Sequence, residues 1–210
     1  ILKIGIPVAM QDGFIQIAFM VITVIANRRG LNDAAAVGIV EKIIGFLFLV
    51  PSSMLSAVSA LGAQNIGAQK PERARTLLYV IFIAAGFGGT VAVIMQFLSG
   101  GAVSLFTDSA VVTRLGGEYL RGYAWDCLFA GIHFAFSGYF CACGKSGISF
   151  MHNMIAILLV RIPGAYFMSS MFPGTLYPMG LATAAGSLLS AIICAAAFII
   201  LIKKEKKGIN

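Results

Sequence analysis

Charge is scarce in this sequence: 11% of its 210 residues are Asp, Glu, Lys or Arg, and only 8 of those are acidic. Soluble domains carry roughly 25% charged residues, so a water-facing surface of ordinary size cannot be built from this composition. Cysteine is scarce too, and Cys127, Cys141, Cys143 and Cys194 all fall in or beside hydrophobic stretches. No second Cys pair or nearby His pair completes the Cys141 and Cys143 spacing into a zinc site, so they read as small packing residues and no metal centre is expected. The first hydrophobic stretch lacks a basic head and a small-residue cleavage site and is too long for a secretory leader. The chain starts without Met, three residues ahead of that stretch, which is expected of a piece of a longer protein.

What is present is apolar. Hydrophobic residues make up 59% of the chain, and the mean hydropathy is +0.93. About 20 apolar residues at ~1.5 Å each cross ~30 Å of hydrocarbon, where each backbone amide must be satisfied within a helix. Six spans are predicted, over about 4–27, 37–62, 76–99, 119–141, 148–170 and 178–202, making residues 1–202 one all-α membrane lobe with a basic tail at 203–210. The formal charge of +7 does not point to nucleic acid, because the basic residues sit between spans and at the C-terminus rather than on a soluble face.

An even number of spans puts both ends on one side. Lys3, Lys70, Arg73, Arg75, Lys145, Lys203, Lys204, Lys206 and Lys207 fall on that side, against Arg28, Arg29 and Arg114 on the other, joined by Lys42 and Arg121 if the span ends are counted. The excess predicts a cytoplasmic location for both ends of this segment, in the plasma membrane. Gly30, Gly67, Gly100 and Gly144 follow spans and are expected at helix ends. Pro71 and Glu72 suit a first helical turn, and Asp108 a cap before the fourth span. Pro51 is expected to bend the second span.

Polar residues inside spans are costly, so their arrangement carries functional information. Asp12, Gln16, Thr23 and Asn27 follow one another at intervals of 4, 7 and 4, which confines them to roughly 60° of one helical face. Glu41, Gly45, Ser52, Ser56, Ser59 and Ala63 form a similar stripe on the second span, and Tyr119, Asp126, His133, Ser137 and Cys141 one on the fourth. Stripes of Ser, Thr and Gly also serve helix packing, as Thr183, Ser187, Ser190 and Cys194 of the last span do in this reading. The acids Asp12, Glu41 and Asp126 need water, a cation, a proton or a basic partner, and their placement on three striped helices predicts a shared hydrated cavity. Glu41 has a competing reading at the membrane interface beside Lys42, and His133 one as a packing histidine. Arg161, next to Pro163, either snorkels outward, bonds freed carbonyls or meets a ligand. Phe19, Tyr119, Tyr123, Trp125, Phe136 and Tyr139 would suit planar cations if they line that cavity, or anchor in lipid if not.

The segments "GIPVAMQ", "NRRGLNDAAAVGI", "LGAQNIGAQKPERAR", "LFTDSAVV" and "RIP" together resemble the multidrug and toxic compound extrusion (MATE) transporters, in the order of that family's second half and over nearly the whole chain. The resemblance implies a twelve-helix transporter of two six-helix lobes, of which this is the C-terminal one and the N-terminal lobe its missing partner. It implies export of amphipathic organic cations in exchange for Na+ or H+, by rocking of the lobes about a central cavity, with no cofactor beyond the coupling ion. Family members that bind a cation in this lobe use acids expected near Ile15 or Gln16 and near Ala130. Here Asp12 and Asp126 stand about one turn away, and Asp12, Gln16 and Asp126 are the expected substitute. Two alternatives are a lipid-linked oligosaccharide flippase, which would want a cavity rich in Arg and Lys, and a rhomboid-like protease from "GKSG" at 144–147. The protease reading lacks a histidine on the face of Ser146, so the chain is not expected to be an enzyme.

Overall fold

The computed structural model describes residues 2–206, with side chains from residue 5 to residue 204. Lys207 and the side chains of Lys3 and Lys206, used in the charge comparison, lie outside the described residues. Among those described, the chain forms six helical rods. The first is α1 (Leu2–Asn27), and the second joins α2 (Leu31–Leu47) to α3 (Leu49–Gly67). The third runs through α4 (Pro71–Thr76), a 3-10 turn and α5 (Val80–Ser104), and the fourth joins α6 (Ala110–Tyr123) to α7 (Trp125–Ala142). The fifth combines α8 (Ser146–Ala156), a π-helical turn (Ile157–Arg161) and α9 (Ile162–Met171), and the last is α10 (Tyr177–Lys206).

Five of these rods are long and apolar enough to cross a membrane. The α6–α7 rod is not among them, since it carries Arg114, Glu118, Arg121, Asp126 and His133. Its α7 half lies enclosed instead, against α3, α5, α8 and α10, while α6 packs on α2, α5 and α10 and leaves Arg114 and Arg121 exposed. A helix enclosed by other helices can hold polar groups, because its neighbours supply the partners that lipid lacks.

The interruptions have local causes. Pro51 has no N–H and its ring crowds the Leu47 carbonyl, and the helix breaks at Phe48, just after that residue. Pro163 acts in the same way on Leu159, inside the π-helical turn. At the end of α3 the left-handed residue is Gln69 (φ 59°) rather than Gly67, and Lys70 N–H bonds to the Asn65 carbonyl at 2.9 Å. Gly144 (φ 70°) closes α7 in the same pattern, with Lys145 N–H on the Phe140 carbonyl at 2.8 Å. Gly100 does not end a helix. It lies inside α5, where the backbone at Gly100 is approached by Gly117 of α6, whose own missing side chain makes the room. The cap of α6 is Ser109, whose hydroxyl accepts from Val112 N–H at 3.4 Å, one residue later than the expected Asp108.

Close backbone contact fixes the centre. A Cβ on Gly122 of α6 would strike the Tyr177 carbonyl of α10, and one on Gly180 would strike the Tyr119 carbonyl of α6. At one end of the bundle Arg29 donates to the carbonyls of Ser169 (2.9 Å), Phe172 (3.1 Å), Pro173 (2.8 Å) and Thr175 (3.2 Å), and to Asp33 at 3.0 Å. These bonds tie the α1–α2 turn to the α9–α10 turn and satisfy carbonyls left open at the end of α9. Arg29→Ala is expected to speed amide hydrogen exchange over residues 172–176 by about tenfold, the effect of losing ~1.4 kcal/mol of local protection. Unchanged exchange there would show that the turn holds itself.

Candidate functional site

The polar residues singled out in the sequence separate into two sets. Asp12, Gln16 and Asn27 of α1 are exposed, as are Ser52 and Ser56 of α3. The stripe from Gly45 to Ala63 keeps to the exposed side through the break at Phe48, with Ser59 half-buried. Tyr119, Asp126, His133 and Ser137 are buried inside the bundle. Thr23 and Glu41 lie between the two sets. The Thr23 hydroxyl is within 3.1 Å of both Glu41 carboxylate oxygens and 3.0 Å from the Phe19 carbonyl, joining α1 to α2. Glu41 is therefore held by a neighbouring helix rather than released to the interface.

Asp126 does not share a lining with Asp12. It is 0% exposed and accepts from Arg161 Nη2 through both oxygens, at 3.2 and 2.9 Å, while the same nitrogen donates to Ser187 Oγ at 3.0 Å. The basic partner that an intramembrane acid requires is thus Arg161, which neither snorkels nor bonds freed carbonyls among the described contacts. The expected grouping of Asp12, Gln16 and Asp126 is not assembled, because α1 presents Asp12 outward while α7 lies enclosed. One signal in the sequence was available: Arg161 and Asp126 are the mid-span base and acid of the fourth and fifth spans, and neither is stable alone in lipid.

The aromatic residues also take another role. Tyr119 and Tyr123 are fully buried, stand edge to face at 5.6 Å and leave both hydroxyls without a hydrogen-bond partner among the described residues. Phe136 and Tyr139 pack on Phe198 of α10 at 5.5 and 5.4 Å. These four form part of the core, so their rings are not available to a planar cation. A concavity of about 450 Å³ between α1 and α9, lined by Ile17, Met20, Val24, Arg28, Pro163 and Phe167, contains none of the predicted site residues.

A second buried cluster was missed by the sequence. His152 of α8 lies between Ser137 Oγ (Nε2, 2.8 Å) and Ser190 Oγ (Nδ1, 3.1 Å), joining α7, α8 and α10. The His133 ring stands 5.5 Å from that of His152, and Ser149 Oγ donates to Gln11 of α1 at 2.9 Å. In the sequence Ser190 belongs to the packing stripe of the last span, and nothing there marks His152 as its partner. Periodicity could place each on a face but not bring three faces together.

An all-helical membrane bundle with a buried Arg161–Asp126 pair and with polar residues exposed on α1 and α3 fits one lobe of a multi-pass membrane transporter. The MatE family profile matches residues 7–167, and the chain belongs to that family, whose members are transporters and not enzymes. It is 24% identical over 170 residues to the probable multidrug resistance protein YoeA of Bacillus subtilis, covering 80% of this chain and 37% of that protein. It is 26% identical over 192 residues to the probable multidrug resistance protein NorM of Rhodopseudomonas palustris, covering 88% of this chain and 39% of the relative. An outward-facing multidrug resistance MATE family transporter of the MOP superfamily superposes with a TM-score of 0.89 at 20% identity, over 98% of this chain and 47% of that one. The chain thus spans less than half the length of these proteins, as one lobe of a two-lobe MATE fold would.

Proposed function

We propose that this chain is the C-terminal lobe of a plasma-membrane antiporter that exports amphipathic organic cations in exchange for Na+ or H+, rocking against an N-terminal lobe. The observation that carries the reading is the exposed stripe of Asp12 and Gln16 on α1 and Ser52 and Ser56 on α3. Much of the remaining exposed surface is apolar, including Ile17, Met20, Phe46, Phe82, Phe97 and Leu159. An Asp facing lipid at mid-membrane costs about 2.5–3.5 kcal/mol on insertion scales. The stripe therefore belongs against the partner lobe and the water between them, with both ends of the segment in the cytoplasm.

A carboxylate in such a cleft attracts a cationic drug and a coupling cation alike, and competition between them links the two fluxes. In cells making the two-lobe transporter, Asp12→Asn is expected to cut ethidium efflux about tenfold, equivalent to ~1.4 kcal/mol of lost cation interaction. Undiminished efflux at equal protein level would remove Asp12 from the pathway.

A further inference from the structure

We infer that the His133 and His152 pair is the proton-binding site of this lobe, holding one exchangeable proton between α7, α8 and α10. The assignment rests on the antiport reading and names its coupling ion as H+.

The hydrogen bonds around His152 suit a group that changes protonation. A serine hydroxyl can donate or accept. Neutral His152 has one donor and one acceptor nitrogen, and charged His152 has two donors. Ser137 and Ser190, at 2.8 and 3.1 Å, can answer either state by rotating a hydroxyl, so proton uptake breaks no hydrogen bond. A buried histidine serving only as packing would need just one of these arrangements. The second imidazole is also in place. His133 is 4% exposed, and its Nδ1 has no hydrogen-bond partner among the described residues. A buried ring nitrogen left open in this way can take up water or a proton.

The surrounding charges limit the pair to one proton. Two imidazolium rings at 5.5 Å would repel strongly at low dielectric. Arg161 on the π-helical turn adds positive charge to the field at His133, and Asp126 on α7 already neutralises it. The other ionisable side chains on packed elements include Cys127, Tyr139 and Cys141 of α7, Tyr177, Cys194, Lys203 and Lys204 of α10, Glu118, Tyr119, Arg121 and Tyr123 of α6, and Asp12 of α1, while α3 and α5 contain none. Asp12 stands exposed one residue from buried Gln11, which accepts from Ser149 at the seam between α1 and α8. Ser149 stands three residues before His152 on α8, about one helical turn away. In the cycle a proton from water adds to an imidazole nitrogen lone pair and later returns to water on the other side, with no other bond made or broken.

The test uses the two-lobe transporter in liposomes, with ethidium as the transported cation and an imposed pH or Na+ gradient. A pH gradient should drive wild-type transport, and His133→Gln and His152→Gln should each lose that drive while still binding ethidium at equilibrium. Direct titration in weakly buffered detergent should show about one proton released per wild-type molecule on ethidium binding, and none from His152→Gln. The double variant Ser137→Ala/Ser190→Ala keeps both imidazoles and should slow pH-driven transport, so the assignment stays testable if a histidine variant does not fold. Undiminished pH-driven transport in the variants would overturn the assignment. So would a wild type driven by Na+ alone, although antiport would then stand. Transport driven by neither gradient would overturn antiport itself, and this assignment with it.

Discussion

Arg161→Leu is expected to destabilise the lobe by about 3–5 kcal/mol, because it leaves the Asp126 carboxylate buried without a cationic partner. The pair is enclosed on both sides: the Arg161 side chain is 7% exposed and that of Asp126 0%. One guanidinium nitrogen serves both carboxylate oxygens and Ser187 Oγ, so a single substitution removes both charged bonds and leaves the carboxylate only the Ser187 hydroxyl. Water cannot replace them without opening the junction of α7, the π-helical turn and α10. Asp126→Asn should cost less, since an amide can still bond to Arg161. The double variant Asp126→Leu/Arg161→Leu should recover most of the loss, because burying an ion pair is itself expensive. Thermal unfolding in detergent provides the measurement. A single variant as stable as wild type would show that the acid finds water or another cation, and would reopen it as part of the transport pathway.

Gly122→Val is expected to have an effect of similar size, at or above the ~1–3 kcal/mol typical of overpacking. The added atoms would meet the Tyr177 carbonyl and the Leu181 amide nitrogen of α10, which are backbone and cannot rotate away. Gly180 would have to shift from Tyr119 at the same crossing. The helices must then part, separating Tyr119 and Tyr123 from the core around them. Gly89→Ala is the control, since its Cβ would meet Leu128 Cδ1 at an ordinary 3.9 Å and should leave the melting temperature nearly unchanged. A normal melting temperature for Gly122→Val would mean that α6 and α10 do not cross this closely.

Several features were legible before any tertiary structure. Hydropathy gave the rods, proline and glycine chemistry gave turns near Gly30, Pro71 and Gly144, and the 3.6-residue period placed Asp12 with Gln16 and Ser52 with Ser56. The same period placed Tyr119, Asp126, His133 and Ser137 on one face, and all four are buried. It failed on what that face meets. A polar stripe has the same spacing whether water, a ligand or another helix lies opposite, so Asp126 was expected to face a hydrated cavity and instead faces Arg161. Gly100 shows the same ambiguity, because a glycine that could end a helix can equally lie within one, as it does in α5.

The sequence by itself determined that this chain lives in a bilayer as helices, since that follows from composition and short-range periodicity. Its likeness to one transporter family was also legible, because motifs survive as strings of residues. Only the tertiary structure decided that α7 is enclosed, that Arg161 neutralises Asp126 and that His152 bridges Ser137 and Ser190. Those outcomes depend on how helices separated by 15 to 38 positions rotate against one another. That rotation is set by the sum of many packing contacts across the bundle, and no local pattern encodes it.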